Sequence, residues 1–215
     1  MMRVAVQMDP PHRLQPQSDS TIVLLREAAR RGYHLYHYAA ESLSWEAGRV
    51  FAPLSRLTIK PPEAGCWYQT EAPIRTALDS MDALLIRQDP PFDMGYITAT
   101  YLLERLPDSV QVVNAPAALR SHAEKLLPLD YPEAMAPTLI SPHTEELLGF
   151  LERHGDIVIK PLYGWGGHAV FRLRRGGDNI AALLELLGPR DPLPVRAQPL
   201  LPDVTRADIR VITLH

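Results

Sequence analysis

The 215-residue chain has 22 lysine and arginine residues against 25 aspartate and glutamate residues, which gives a net charge of −3. This balance, without a basic block, argues against binding to nucleic acid through a basic surface. Hydrophobic residues make up 46% of the chain, enough for a sizeable core, yet no run reaches the ~20 apolar residues of a membrane span. Cys66 is the single cysteine, which excludes an internal disulfide and fits a reducing compartment. We therefore expect a cytoplasmic protein.

The chain opens with the order strand, helix, strand. Residues 3–8 form an apolar run that is typical of a buried strand. Residues 18–33 have apolar side chains at helical spacing, and Ser18 or Asp19 can cap the start of this helix. Residues 34–38 are the next predicted strand. This order is typical of a parallel sheet.

Residues 43–60 alternate like an antiparallel ribbon, with a turn near residues 46–48. A strand, a helix, a strand and a helix follow, at residues 82–87, 93–106, 110–116 and 117–127. The last helix would place His122 and Lys125 three residues apart on one face. We place the first domain at residues 1–120 and the second at residues 121–215.

From about residue 120 the pattern of apolar residues changes. Strands at 136–141 and 156–161 flank a helix at 144–155, whose start is marked by Ser141 and Pro142. A glycine-rich stretch comes next. The remaining predicted elements are a strand, a helix and two strands, at residues 168–173, 178–188, 195–201 and 208–214.

The glycine-rich stretch contains Gly164, Gly166 and Gly167 and lies between two predicted strands, so it is predicted to be a hairpin tip. It is longer than the two-residue turns that hairpins favour, and it lacks both the Lys-Ser/Thr pair and the helix of a Walker loop. A tip of this kind can place backbone N–H groups over an anion. Lys160, just before the tip, can place a point charge on a phosphate. The alternative is an edge-strand lysine that discourages aggregation.

The segment "IVIKPLYGWGG" resembles the I-x-K-P-x-x-G-x-G-G segment of ATP-grasp ligases, and specifically of bacterial glutathione synthetases. Other segments resemble the same family in the same order: "MDP", "RRGY", "IRQDPPFD", "VNAPAALR", "EKL", "AQPLLP" and "DIRV". The resemblance implies an α/β fold. An N-terminal Rossmann-like parallel sheet, the pre-ATP-grasp domain, would be followed by an incomplete ATP-grasp domain of the α+β type.

The resemblance also implies a reaction. ATP would phosphorylate the C-terminal carboxylate of γ-glutamylcysteine, and the amine of glycine would attack the acyl phosphate to release glutathione, ADP and phosphate. ATP and Mg²⁺ would be required, and the protein would assemble as a homo-oligomer. Two alternatives stay open: a non-catalytic nucleotide-binding remnant, and an ATP-grasp ligase with another acid and amine.

The resemblance implies a nucleotide site. Lys125 and Lys160 match the two family lysines that contact the ATP phosphates, and Gly164, Gly166 and Gly167 match the loop that closes over the nucleotide. The linker that would read the adenine edge consists of Gln198, Pro199, Leu200 and Leu201. Asp208 and Arg210 match a pair that faces the phosphates or the substrate, and Arg210 is the candidate catalytic residue.

The candidate substrate-binding residues are Arg87, Asp89, Asp19 and Ser20. Arg87 and Asp89 lie on a turn after a buried strand, and ligands of open α/β sheets bind at the carboxyl ends of strands. The alternative is a rigid surface turn. Asp19 and Ser20 are suited to capping the helix, and a helix N-terminus also suits a carboxylate ligand.

The sequence departs from the family pattern at several positions. Tyr163 stands where the family usually has an acidic residue, and Pro199 and Leu200 stand where it often has Asn and Tyr. Because proline has no backbone N–H to donate to adenine, we expect Pro199 to lower the affinity for the nucleotide. The acids after Lys160 form no paired motif for Mg²⁺, so no metal ligands are assigned. The chain ends in the apolar run "RVITLH", so we expect a truncated protein whose 215 residues are inactive alone.

Overall fold

The computed structural model of the chain describes residues 1–61, 65–88, 91–163, 169–187 and 194–202, with the backbone alone at 185–187. The chain divides into two compact units, Met1–Ala123 and Glu124–His215. Among the described residues, no helix is both long enough and apolar enough to cross a membrane.

The first unit is a mixed sheet with helices. Its described strands are β1 (Arg3–Gln7), β2 (His34–Tyr38), β3 (Ser44–Glu46), β4 (Arg49–Ile59), β5 (Tyr68–Thr70), β6 (Ile74–Ala77), β7 (Ala83–Ile86) and β8 (Gln111–Val113). Its described helices are α1 (Ser20–Arg30), α2 (Met94–Leu103) and α3 (Pro116–Ser121). The strand order is β3-β4-β2-β1-β7-β8, and β5 and β6 both pair with β4.

The centre of this sheet is parallel, as the order of elements predicts. β1 pairs in parallel with β2 on one side and with β7 on the other, and β7 pairs in parallel with β8. β4 runs antiparallel to β2 and also to β3. The turn between β3 and β4 lies at Ala47 and Gly48, whose φ angles are 48° and 85°. The ribbon and its turn near 46–48 are therefore confirmed.

Alternation along β1 distributes its side chains between two apolar clusters. Val4 and Val6 pack with Ile22 and Leu25 of α1, whereas Ala5 packs in a second cluster that includes Leu103 of α2. Neighbouring residues of a strand point to opposite faces, so each face of the sheet carries one of these clusters.

The predicted helix at 117–127 is wrong beyond Ser121. The hydroxyl of Ser121 donates to the Ala117 carbonyl at 3.0 Å, and Nδ1 of His122 lies 3.1 Å from the Ala118 carbonyl oxygen. Side chains that bond to nearby carbonyls compete with continuation of a helix. His122 and Lys125 therefore do not share a helix face.

The second unit contains an antiparallel sheet in the order β11-β10-β12-β9. Its described elements are β9 (Leu139–Ser141), α4 (Thr144–His154), β10 (Asp156–Pro161), β11 (Phe171–Arg174), α5 (Ile180–Leu187) and β12 (Val195–Pro199). Because β10 and β11 are antiparallel neighbours, the predicted hairpin around the glycine-rich stretch is confirmed. The α/β fold class, with a parallel-centred unit followed by an α+β unit, is confirmed as well.

One face of this second sheet is apolar and the other is polar. Ile157 and Ile159 of β10 pack in the core with Ala197 of β12 and the apolar residues of α4. Alternation then directs Lys160 and Arg196 to the opposite face.

Candidate functional site

Three cations meet on the polar face of the second unit. Lys160 and Arg196 are directly opposed on neighbouring strands. Lys125 reaches the same region from the segment before β9, and its Nζ donates to the Pro161 carbonyl at 2.7 Å. Nη1 of Arg196 donates to the carbonyl oxygen of Lys125 at 3.3 Å. We call Lys125, Lys160 and Arg196 the cation cluster.

The cation cluster is partly desolvated. Burial lowers the pKa of Lys125, and the charges of Arg196 and Lys160 lower it further, whereas Glu124 opposes this effect. Burial also lowers the pKa of Arg196, and its buried Nε has no hydrogen-bond partner among the described residues. Positive charges held together away from water favour an anionic ligand.

The predicted adenine linker lies at the end of β12. The side-chain amide of Gln198 donates to Oγ1 of Thr138 at 2.9 Å, and the N–H of Leu200 donates to the Asp156 carbonyl at 2.9 Å. Pro199 ends the strand, and Leu201 is exposed. Gln198 shares its sheet face with Lys160.

Asp89, Gly164, Gly166, Gly167, Asp208 and Arg210 all lie outside the described residues. Within the described ranges, no group of three or more His, Cys, Asp or Glu side chains is arranged to hold a metal ion.

The first unit contains a cavity of about 290 Å³ at the carboxyl ends of β1, β2 and β7. The polar residues that line it include Asp9, Arg13, Glu41, Gln88, Asp93 and Tyr96. β1 lies where the strand order reverses, between β2 and β7. Ligands of open α/β sheets bind at such a point.

The start of α2 borders this region. Oδ1 of Asp93 accepts from the N–H of Tyr96 at 2.9 Å and caps α2, and burial raises the pKa of Tyr96. Gln88 accepts a hydrogen bond from Gln7, which is fully buried. The carbonyl oxygen of the same side chain, Oε1 of Gln7, is buried and accepts no hydrogen bond within the described part of the chain.

Three of the four predicted substrate-binding residues meet at the start of α1. Nη2 of Arg87 donates to Oγ of Ser20 at 2.7 Å, and Nε of Arg87 donates to Oγ1 of Thr21 at 3.2 Å. Asp19 accepts from the N–H of Thr21 at 2.7 Å, so it is the cap of α1. Substrate contact by these residues stays a prediction.

Arg196 and the cavity residues Arg13 and Glu41 were absent from the sequence prediction. The alternation of "VRAQ" places Arg196 on the face of Gln198, and this signal could have identified it. Glu41 follows β2 and has no local signal, because only the folded sheet brings it to the cavity.

Comparisons with known proteins cover both units. Residues 2–120 match the family model of the prokaryotic glutathione synthetase N-terminal domain, and residues 124–215 match that of the prokaryotic glutathione synthetase ATP-grasp domain. The glutathione synthetase of Bradyrhizobium diazoefficiens is 41% identical over 100% of this chain and 68% of its own length. The glutathione synthetase of Vibrio cholerae is 36% identical over 100% of this chain and 67% of its own length.

Solved structures share the fold at low sequence identity. The RimK domain protein ATP-grasp from Sphaerobacter thermophilus has a TM-score of 0.56 at 19% identity, covering 93% of this chain and 64% of that one. D-alanyl-alanine synthetase A from Vibrio cholerae has a TM-score of 0.55 at 11% identity, covering 93% and 59% respectively.

The chain thus spans about 68% of the length of the first curated relatives it matches. ATP-grasp architecture, the two matched domains and the identities to curated relatives agree with one another. The chain belongs to the prokaryotic glutathione synthetase family, whose members are ATP-dependent carboxylate–amine ligases of the ATP-grasp type.

Proposed function

We propose that this protein makes glutathione by joining γ-glutamylcysteine to glycine at the expense of ATP. The observation that carries the proposal is the cation cluster on the polar sheet face of the unit that matches the ATP-grasp domain. Three positive side chains suit the phosphates of a nucleotide, since charge–charge attraction is stronger where water is partly excluded.

The proposed reaction has two steps. A carboxylate oxygen of γ-glutamylcysteine attacks the γ-phosphorus of ATP, the bond to the ADP oxygen breaks, and ADP leaves. The amine of glycine then attacks the acyl carbon, the C–O bond to phosphate breaks, and the amine loses a proton. Lys125 and Lys160 would bind the phosphates of ATP, and the acyl phosphate would need protection from water.

The cavity of the first unit is the proposed site for the peptide. Its volume of about 290 Å³ is near the lower end for small-molecule sites. Arg13 can pair with a carboxylate, and Asp93 or Glu41 can accept from an ammonium group. Arg87 and the start of α1 remain predicted contacts for a substrate carboxylate, together with Asp89.

The remaining assignments are parts of the same proposal. The glycine-rich stretch and Asp208 would bind the nucleotide, and Arg210 would act in catalysis. Mg²⁺ would neutralise phosphate charge when bound, but the described residues supply no ligand set for it. A cytoplasmic homo-oligomer completes the proposal, and the single cysteine fits that compartment.

Nucleotide binding is the direct test of the cation cluster. We expect isothermal titration to detect ADP binding to the chain, and Lys160→Ala to weaken it by about tenfold, the loss of one charge-assisted contact. Arg172→Ala is the matched control, because Arg172 lies on the same sheet face but pairs with Asp156 at 2.9 Å. Equal ADP affinity in wild type and Lys160→Ala would contradict the nucleotide site.

Peptide binding tests which carboxylic acid the protein takes as its substrate. We expect γ-glutamylcysteine to bind, and its isomer α-glutamylcysteine to bind at least tenfold more weakly. The isomer carries its charged groups at other positions and would leave polar groups of the site unpaired. Equal binding of the two peptides would favour the alternative of an ATP-grasp ligase with another acid.

A further inference from the structure

We propose that Arg196 is a positioning residue for nucleotide binding, which holds Lys125 in place and adds a fixed positive charge beside Lys160. This inference rests on the proposed nucleotide site. Its starting point is that Arg196 occupies the strand position directly opposite Lys160, while its Nη1 donates to the backbone carbonyl of Lys125 at 3.3 Å.

Arg196 connects two separate parts of the second unit. Lys125 lies in a segment outside the regular helices and strands, 71 residues earlier in the chain. Its side chain reaches the end of β10 by donating to the Pro161 carbonyl at 2.7 Å. The bond from Arg196 ties the backbone of Lys125 to β12, so Lys125 is held at both its backbone and its side chain. Such double support keeps a cation in position before a ligand arrives.

This arrangement is unfavourable for the unliganded protein. Nε of Arg196 is buried and has no hydrogen-bond partner among the described residues. A buried unsatisfied donor destabilises a fold, and like charges directly opposed on neighbouring strands do the same. In the described part of the chain, Arg196 and Lys160 form no salt bridge with a carboxylate, and Glu124 acts on Arg196 only as a nearby charge.

Other arginines of the chain have a different environment. Arg172 pairs with Asp156, Arg49 pairs with Asp79, and Arg120 pairs with Glu104. Those contacts are what a structural arginine typically makes. A partly desolvated arginine among lysines instead requires an anion for neutralisation, and the nucleotide phosphates would supply it.

The test compares affinity with stability in the 215-residue chain. We expect Arg196→Met to weaken ADP binding by about tenfold in isothermal titration calorimetry, because it removes both the bond that holds Lys125 and the positive charge beside Lys160. Its melting temperature should equal or exceed that of the wild type, because the substitution removes a buried unsatisfied donor. Arg196→Lys keeps the positive charge but replaces the planar guanidinium and its several N–H donors by one ammonium group, so it should weaken ADP binding by about threefold. Adenosine, which has no phosphate, should bind all variants equally.

The opposite result is expected for a structural arginine. Arg172→Met, the matched control, should lower the melting temperature and leave ADP affinity unchanged, because it breaks the pair with Asp156. Our inference is overturned if Arg196→Met binds ADP as tightly as the wild type, or if it loses stability together with affinity. An equal loss for adenosine would assign Arg196 to the base and overturn it too. A wild-type chain that binds no ADP would instead contradict the proposed function, and the inference with it.

Discussion

Arg87 joins the end of β7 to the start of α1 through Ser20, whose Oγ accepts from Nη2 of Arg87 at 2.7 Å. Thr21 accepts from Nε of the same guanidinium, and it is itself 2% exposed. The two ends are therefore held together by a side chain that was predicted to bind substrate. Arg87 is expected to have a structural role even in the absence of a ligand.

Replacing Arg87 should therefore destabilise the first unit. We expect Arg87→Met to lower the free energy of unfolding by about 1–2 kcal/mol, because it removes both bonds and leaves the buried Thr21 hydroxyl with one partner fewer. Urea unfolding measures this difference. Ser20→Ala is the control, since it removes one bond at an exposed hydroxyl and should cost about 0.5 kcal/mol. Equal unfolding free energies for Arg87→Met and wild type would contradict the structural role.

The pH dependence of nucleotide binding should follow the protonation of Lys125. Burial, together with the charges of Arg196 and Lys160, lowers the pKa of this amine. A lowered pKa means that the neutral form appears at a lower pH than for an ordinary lysine, and a neutral amine does not attract phosphate. We expect ADP affinity to fall as pH rises toward the ordinary lysine pKa of about 10.4, and to do so before that pH is reached.

A variant with a permanent charge separates this effect from others. Lys125→Arg should remove most of the fall in ADP affinity, because arginine keeps its proton throughout this range. Lys60→Arg, a change in the first unit, should leave the fall as in the wild type. If Lys125→Arg and wild type lose affinity in parallel with rising pH, another group is responsible.

Acid should destabilise the protein through His37. Burial lowers the pKa of its imidazole, so the folded state resists taking up the proton. The unfolded chain takes it up near an ordinary pKa of about 6.5, so between that value and the folded pKa the unfolded state binds more protons. The contribution of His37 to the free energy of unfolding is therefore fully present above about pH 6.5. It falls as pH drops through this interval and levels off below the folded pKa.

Substitution of His37 should remove this part of the acid sensitivity. We expect His37→Leu to flatten the fall in unfolding free energy when urea unfolding is repeated at several pH values. His34→Leu, the same change on the same strand, is the matched control. An unchanged pH dependence in His37→Leu would show that His37 does not carry the effect.

Two glycines should respond in opposite directions to substitution by alanine. At Gly149, inside α4, an added Cβ would lie 3.5 Å from Nη1 of Arg153, an ordinary contact. At Gly177 it would lie 2.9 Å from the Arg174 carbonyl oxygen, which is backbone and cannot move aside. We expect Gly149→Ala to raise the unfolding free energy by about 0.5–1 kcal/mol, because alanine favours helix, and Gly177→Ala to lower it by about 1 kcal/mol.

Thermal unfolding of the two variants measured side by side provides the check. Each variant serves as the control for the other, since both add one methyl group to the second unit. A destabilised Gly149→Ala, or a Gly177→Ala that is as stable as the wild type, would contradict the geometry around that residue.

Much of the fold could be predicted from single segments. Alternation and helical spacing predicted β1, α1 and β2, and residue type predicted a cap at Ser18 or Asp19, of which the structure shows Asp19. The end of α3 was not predicted, because Ser121 and His122 can either continue a helix or bond back to its carbonyls. That choice depends on the energies of competing hydrogen bonds, which periodicity does not measure.

Local patterns were enough to predict the order of elements and the family, because each predicted element and each family motif depends on residues that lie within a few positions of one another. The contacts of Lys125 with Pro161 and Arg196, 36 and 71 residues away in the chain, follow from the folded structure and from no local pattern. Strand register and the course of the segment before β9 set those distances. The lowered pKa values of Lys125 and His37 have the same origin, because burial exists only once the chain has folded.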